Sequence, residues 1–289
     1  MHIVVHGGAG SAPDEPADRQ AVLDRAANRG LTASSPVEAV ERAIRVLETS
    51  PRFNAGIGGA IQSDGVVRTD AGIMTDDGQS GAICGVPGIE HPVSLARVVY
   101  EDTPHVLLTE PGATELADAN GIETDVDLLT EDSRARWESI GPVPENIDDR
   151  LAWIREVYGT VPDETDHDTV GAVASDGRHL AAATSTDGRW MALAGRIGDT
   201  PQIGAGFYAD AAGGASATGA GEAIATVGLT RRAVDRLESG QDVQLAAERA
   251  IARLESETGA EAGVIVLTPD GSIGAANNTP AMQTASARD

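Results

Sequence analysis

No lysine occurs anywhere in this sequence: all 21 basic residues are arginine, set against 45 carboxylates. The formal charge is −24 and the pI is about 4.4. Phosphate-rich and anionic lipid surfaces repel such a chain, so nucleic acid and membrane are excluded as partners and a small molecule is left. In dilute buffer this excess strains a compact fold by self-repulsion, whereas at molar salt the screening length falls to about 3 Å. A merely acidic mesophilic protein accounts for the charge but not for the missing lysine. The expectation is a salt-adapted, cytoplasmic protein.

Cysteine is nearly absent as well. Cys84 stands alone, so no intrachain disulfide can form and nothing suggests an oxidising compartment. No apolar run approaches the roughly 20 residues that span a bilayer. The opening Met1-His2-Ile3-Val4-Val5-His6-Gly7-Gly8 has a short apolar run without a basic lead-in, unlike a signal peptide. His-Glu-x-x-His and paired cysteines are missing, and His6 and His167 are isolated, so no metal centre of that kind is expected. Gly-x-Ser-x-Gly and the Gly-Lys-Ser/Thr ending of a phosphate loop are missing too, which removes those hydrolase and nucleotide classes. The glycines from Gly204 to Gly214 lack the strand-turn-helix setting of a dinucleotide site.

What is present centres on Asp166-His167-Asp168-Thr169-Val170-Gly171-Ala172-Val173-Ala174, where an acidic segment gives way to small and β-branched residues. Thr169 therefore starts a strand. Ser175-Asp176-Gly177-Arg178 signals a hairpin, with a return strand from His179 to Thr186. With Asp176-Gly177 as the loop, Ser175 pairs with Arg178 and Thr169 faces Thr184, with Thr186 two residues beyond. A threonine becomes a nucleophile when a base takes its proton, and chain cleavage just before it supplies an α-amine with a pKa of roughly 8. A β-branched residue that only begins a strand has the same local signature.

Taken in order, Ile3 to Val5 read as a short strand that breaks at His6-Gly7-Gly8-Ala9-Gly10. Helices are predicted over Asp18 to Asn28 and Pro36 to Leu47, the second with Ser35 as N-cap and Glu38 three residues on. Leu47 to Gly59 is too rich in glycine and proline for regular structure and too apolar for a plain surface loop, so its carbonyls need partners, hydrogen bonds or an ion. Hairpin signals, strands and helices continue to Ala119. From about Glu123 to Asp168 the chain turns acidic and loses periodicity except for a helix near Ile147 to Val157, which reads as a linker or surface excursion. Glu222 to Leu237 and Val243 to Glu255 read as helices, and Gly263 to Leu267 with Ser272 to Ala276 as a last hairpin. Hairpins separated by helices point to one α+β domain over 1–289 rather than a doubly wound sheet.

Two further stretches carry chemistry. Gly195-Arg196-Ile197-Gly198-Asp199 sets a guanidinium and a carboxylate three residues apart, a pair suited to an amino acid's α-carboxylate and α-amine, or simply to a loop salt bridge. Thr218-Gly219-Ala220-Gly221-Glu222 puts a hydroxyl and open backbone N–H groups before a helix, suited to an oxyanion or to plain capping.

Together, His6-Gly7-Gly8-Ala9-Gly10, Phe53-Asn54-Ala55-Gly56-Ile57-Gly58, Asp168-Thr169-Val170-Gly171-Ala172-Val173, Thr184-Ser185-Thr186, Arg196 to Asp199 and Thr218 to Glu222 resemble, in order and spacing, the plant-type L-asparaginase/isoaspartyl peptidase family of N-terminal-nucleophile hydrolases. The resemblance implies an αββα four-layer sandwich that cuts itself before Thr169, giving an α subunit of 1–168, with 123–168 as its acidic linker, and a β subunit of 169–289. It implies Thr169 as nucleophile and base, Thr186 as its support, Arg196 and Asp199 as substrate ligands, and Thr218 and Gly219 as the oxyanion hole. Asn54, Asp168, Gly7 and Gly8 would support the site. Leu47, Glu48, Ser50, Phe53, Ala55 and Ile57 would offer carbonyls to a structural sodium ion, with no cofactor for the chemistry. The implied substrates are L-asparagine and β-aspartyl dipeptides, and the implied assembly is a dimer of αβ heterodimers.

Two positions depart from the family's usual pattern: Asp168 and Asp187 stand where relatives commonly have glycine. His167-Asp168-Thr169 is similar to the glycosylasparaginases, which makes a glycosylated asparagine the alternative substrate. An uncleaved binder of amino acids is the non-enzymatic alternative.

Overall fold

Local signals explain the first helices. Proline stands in the first turn of both α1 (Pro16–Leu31) and α2 (Pro36–Glu48), where a missing N–H costs nothing, and the Ser35 hydroxyl accepts the Glu38 N–H at 3.3 Å. α1 outlasts its predicted span by two residues at the start and three at the end, because Ala26, Ala27 and Gly30 stay buried to its last turn.

The computed structural model describes residues 1–158 and 169–289. In chain order these carry β1 (His2–Gly10), α1, α2, β2 (Arg68–Thr75), β3 (Ser80–Pro87), α3 (Pro92–Asp102), β4 (Leu107–Leu108), α4 (Gly112–Ala119), α5 (Glu131–Ser139) and α6 (Ile147–Tyr158). From Thr169 onward come β5 (Val170–Ser175), β6 (Leu180–Thr186), β7 (Phe207–Asp210), β8 (Gly213–Gly219), α7 (Gly221–Val227), α8 (Leu229–Glu238), α9 (Val243–Thr258), β9 (Ala262–Leu267), β10 (Ile273–Asn277) and β11 (Ala281–Arg288).

The strands make two sheets, ordered β11-β1-β5-β6-β2-β3-β4 and β10-β9-β8-β7, antiparallel except for β3 with β4. The larger sheet packs one face under α1, α2 and α3 and the other on the smaller sheet, whose far face carries α8 and α9. This is the αββα sandwich of an α+β fold. Alternation along β5 and β6 assigns the faces: Ala172, Ala174, Ala181 and Ala183 lie in the core under the helices, and Val173, Leu180 and Ala182 in the core between the sheets. By the same parity Thr184 faces the smaller sheet, where its hydroxyl bonds Gly206 O and Ser216 Oγ.

The hairpin register differs from the sequence expectation. Ser175 pairs with Leu180 and Val170 with Ser185, so the loop centres on Gly177-Arg178 and Thr169 faces Thr186, not Thr184. The cause is local: Gly177 at φ 86° takes the first central position, and the Asp176 carboxylate accepts the N–H groups of Arg178 and His179, both at 2.8 Å.

Four other expectations change. β1 does not break at His6 but runs to Gly10 through a register shift between His6 and Ala9. The predicted helix from Glu222 to Leu237 is two helices, α7 and α8, because Gly228 at φ 67° ends one and starts the next. The C-terminal β11, unpredicted, pairs with β1. The acidic stretch contains α5, opened by a Thr130–Ser133 capping box, and its Leu128 is buried at 3% exposure in a small core with Ile61, Trp190 and Met191, so it is not simply an excursion.

Candidate active site

The register brings the first pair together. Thr169, 7% exposed, donates its hydroxyl to Thr186 Oγ1 at 3.3 Å. Thr186 Oγ1 accepts the Gly188 N–H at 3.2 Å and reaches the Asn54 carbonyl at 3.4 Å. Asn54 is itself held at both ends of its amide: Nδ2 donates to Gly188 O at 2.6 Å and Oδ1 accepts the Ala60 N–H at 2.8 Å. Thr169 does not itself start the strand but immediately precedes β5, and its hydroxyl meets that of Thr186 at the end of β6, braced by the loop after α2. Asp168 and His167, with the 168–169 bond, lie outside the described residues.

Arg196 and Asp199 come together against one glycine. A Cβ on Gly221 would lie 2.8 Å from Arg196 Nη2 and 2.9 Å from Asp199 Oδ1. Glycine there lets the start of α7 approach both side chains. Asp199 is buried with Oδ2 unpaired among the described residues, and its carboxyl is pushed up to about 7 by burial, with Arg196 opposing and Asp70 and Glu222 adding to the rise. The guanidinium is gripped by Glu222, Nε to Oε1 and Nη2 to Oε2, each at 2.8 Å. Burial works to raise the Glu222 carboxyl, but Arg196 takes it below the usual range. The salt bridge of this loop thus runs to Glu222, a residue given no role from sequence. Thr218 is buried and its Oγ1 accepts the Ala9 N–H at 3.3 Å, which ties the end of β1 to the end of β8. Gly219, at φ 130°, has no room for a Cβ, which would lie 2.6 Å from Ala262 Cα.

Comparison with known families finds a match over residues 1–289 to the family described as Asparaginase. The chain belongs to the asparaginase family. It is 39% identical over 298 residues to the plant-type L-asparaginase of Thermococcus kodakarensis, covering 99% of this chain and 96% of that one. It is 40% identical over 291 residues to the plant-type L-asparaginase of Pyrococcus furiosus, covering 97% and 94%. The isoaspartyl peptidase/L-asparaginase of Bos taurus is 39% identical over 300 residues, covering 99% and 93%.

Within this asparaginase-family chain, Asp187 occupies the space behind Thr186. Its N–H donates to Asn54 O at 3.1 Å and its Oδ1 accepts the Gly56 N–H at 3.0 Å. Its Oδ2 takes the place where a side chain on Gly59 would begin, 1.5 Å from that Cβ position. Burial raises the Asp187 carboxyl well above the carboxylate range, and the charges of Glu48 and Asp70 add to the effect. Asp70, which accepts the Gly85 N–H at 2.8 Å, is pushed up to about 7 by burial.

Gly7 lies against Phe53 of the Asn54 loop, and Gly8 follows it at φ 110°. A Cβ on Gly7 would lie 2.5 Å from the Phe53 ring, and the Arg19 guanidinium covers that ring at 4.6 Å from its centroid while Arg19 donates to Gly7 O. Next to them, a buried polar row escaped sequence reasoning: His6 Nε2 meets Ser216 Oγ at 2.8 Å, and Ser216 Oγ meets Thr184 Oγ1 at 2.7 Å. Burial pushes the His6 imidazole down to about 3, against a Thr169 backbone contact, so it is neutral at physiological pH. Asp70 could have been noticed as a lone carboxylate inside an apolar strand; Ser216, among small residues, gave no signal.

Glu48 was named for its carbonyl, yet its buried carboxylate is as firmly engaged. It accepts from Ser185 Oγ at 2.7 Å and the Val93 N–H at 3.1 Å. Of the six loop carbonyls, Leu47, Glu48 and Ser50 accept backbone N–H groups from Ser50, Ile57 and Phe53 at 3.0, 2.8 and 3.3 Å. Each carbonyl keeps a second lone pair beyond these bonds. Among the described residues no group of three or more His, Cys, Asp or Glu is placed to hold a metal ion.

Proposed function

We propose that this protein is a self-cleaving threonine amidohydrolase that deamidates L-asparagine and hydrolyses β-aspartyl dipeptides. The observation that carries this reading is the Thr169–Thr186 hydroxyl contact of 3.3 Å at the mouth of a hairpin. The names of the relatives support the substrate class. Cleavage between Asp168 and Thr169 frees the Thr169 α-amine, which takes the proton from the Thr169 hydroxyl. Oγ1 then attacks the side-chain carbonyl carbon of the aspartyl group, and Thr218 with the Gly219 N–H stabilises the oxyanion. The nitrogen leaves as ammonia or as an amino acid carrying that proton. A water molecule then cleaves the β-aspartyl ester on Thr169 and regenerates the hydroxyl.

Arg196 would hold the substrate α-carboxylate and Asp199 its α-amine, with Glu222 yielding part of its bidentate grip to the incoming carboxylate. Subunits of 1–168 and 169–289 making one domain, a dimer of αβ pairs, a sodium ion on the 47–57 loop and a salt-adapted cytoplasmic setting complete the proposal. Among the described residues no helix is long and apolar enough to cross a membrane. The test is purification in high salt, a denaturing gel, and assays on L-asparagine, β-aspartyl, α-aspartyl and glycosylated asparagine substrates. Two bands, a new N-terminus at Thr169 and turnover of only the first two substrates are expected. A chain that stays intact, or equal turnover of α- and β-linked dipeptides, overturns the reading.

A further inference from the structure

With 45 carboxylates for 21 arginines, each guanidinium should find an acidic partner. Several do not among the described residues: Arg232, Arg236 and Arg249 lie near one another with no carboxylate within 4.0 Å, and one cleft gathers three more. It has a volume of about 570 Å³ and lies along α1 and α2, lined by Arg25, Arg29, Arg42 and Arg45, with Val46 and His91. Arg42 is engaged by Glu38 and by the Thr32 carbonyl and hydroxyl. Arg25, Arg29 and Arg45 have no carboxylate within 4.0 Å among the described residues; Arg25 donates only to Ala21 O of its own helix, and Arg45 to Ser94 Oγ.

The acidic residues nearby are committed elsewhere. Glu41 holds Arg97 and Ser94, Glu48 faces inward to Ser185 and Val93, and Glu90 takes the Thr49 hydroxyl and lies beside His91. The helix dipole accounts for Arg29 and Arg45, each in a last turn, but not for Arg25 within α1 or for the gathering of four arginines in one cleft. With a net charge of −24 the whole molecule repels anions, so an anion bound here must be held by the local guanidiniums against that field.

We propose that this cleft binds a linear oligophosphate, free or as the tail of a nucleotide. Arg25 and Arg29 are four residues apart on α1, about 6 Å along its axis, and face the α2 arginines across the groove. Guanidiniums strung out in this way match several anionic groups in a row better than a single carboxylate, and each fork can take two phosphate oxygens. Among the described residues the cleft is lined by no Phe, Tyr or Trp, and its one ring, the His91 imidazole, is held by Glu48 and Glu90, so the phosphate chain is the part recognised.

The test is calorimetry on the full chain with inorganic tripolyphosphate, ATP and citrate, all at one ionic strength set with sodium chloride because screening weakens every such contact. Saturable one-to-one binding of tripolyphosphate is expected, with ATP of similar affinity. R25Q/R29Q, both exposed positions, should weaken it by roughly tenfold per guanidinium lost while leaving asparagine turnover unchanged, and R45Q should do so independently. No saturable binding, or binding that these variants leave untouched, overturns the site. Citrate binding as tightly as tripolyphosphate overturns the linear-phosphate assignment, and ATP binding without tripolyphosphate binding overturns recognition through the chain alone.

Discussion

Thr169 and Thr186 differ in what their hydroxyls can do. The Thr169 oxygen donates into the site, whereas Thr186 is fixed by Gly188 and Asn54. Thr169→Ala should abolish both chain cleavage and hydrolysis, read by gel and by ammonia release. Thr186→Val keeps the shape but removes the partner, and should lower kcat by roughly a hundredfold or more, the scale of a lost transition-state hydrogen bond. Asp199 makes a pH prediction. Its carboxyl, pushed up to about 7 by burial, must ionise to hold an ammonium, so KM for L-asparagine should fall as pH rises through about 7. Asp199→Asn should erase that bend; an unchanged KM profile in this variant would remove Asp199 from the pocket. Asp187 and Gly59 form a steric pair. Gly59→Ala alone should destabilise the fold and slow hydrolysis, since its Cβ would overlap the Asp187 carboxyl, and Asp187→Gly in the same chain should restore both. Failure of the double variant to recover would show that the two residues do not share that space in solution.

At the scale of elements, the hairpin and the sheet-to-sheet contact decide the site. Gly171 lets β5 approach the smaller sheet: a Cβ there would lie 1.9 Å from Ser216 Oγ and 2.4 Å from His6 Nε2. Gly171→Ala should therefore cost at least about 2 kcal/mol, measured by denaturant unfolding, the range for overpacking a close-packed interior. Helix positions were readable because proline, Ser35 and the 3.6-residue pattern act within a few residues of one another. The hairpin register was not readable, because it depends on whether Asp176 joins the loop or closes it, and one side-chain hydrogen-bond pattern tips that choice. β11 was missed for another reason. Ala281 to Arg288 has little apolar alternation and becomes a strand by pairing with β1, at the other end of the chain.

The molecule as a whole is governed by its charge. Buried Asp70 and Asp199 sit near 7 in the folded protein against an ordinary 3.8, so the native state binds more protons between these values. Stability should therefore fall as pH rises from about 4 to about 7, and Asp70→Asn should flatten that slope. The surface carboxylates add repulsion that salt relieves, so the melting temperature should climb steeply with sodium chloride up to the molar range. A melting temperature independent of salt would refute salt adaptation. Composition alone carries this expectation, because net charge sums over residues wherever they lie. The sequence alone also determined the identity of the chemical groups and the family, since ordered motifs such as Asn54 to Gly58 and Thr218 to Glu222 survive as local strings. Only the tertiary structure decided which groups meet: that Thr169 faces Thr186, that Glu222 grips Arg196, that Asp187 fills the space at Gly59, and that Arg25, Arg29 and Arg45 share one cleft with no carboxylate within 4.0 Å among the described residues. These are contacts between residues far apart in the chain, set by strand register and by the packing of one sheet on another, and no local pattern encodes them.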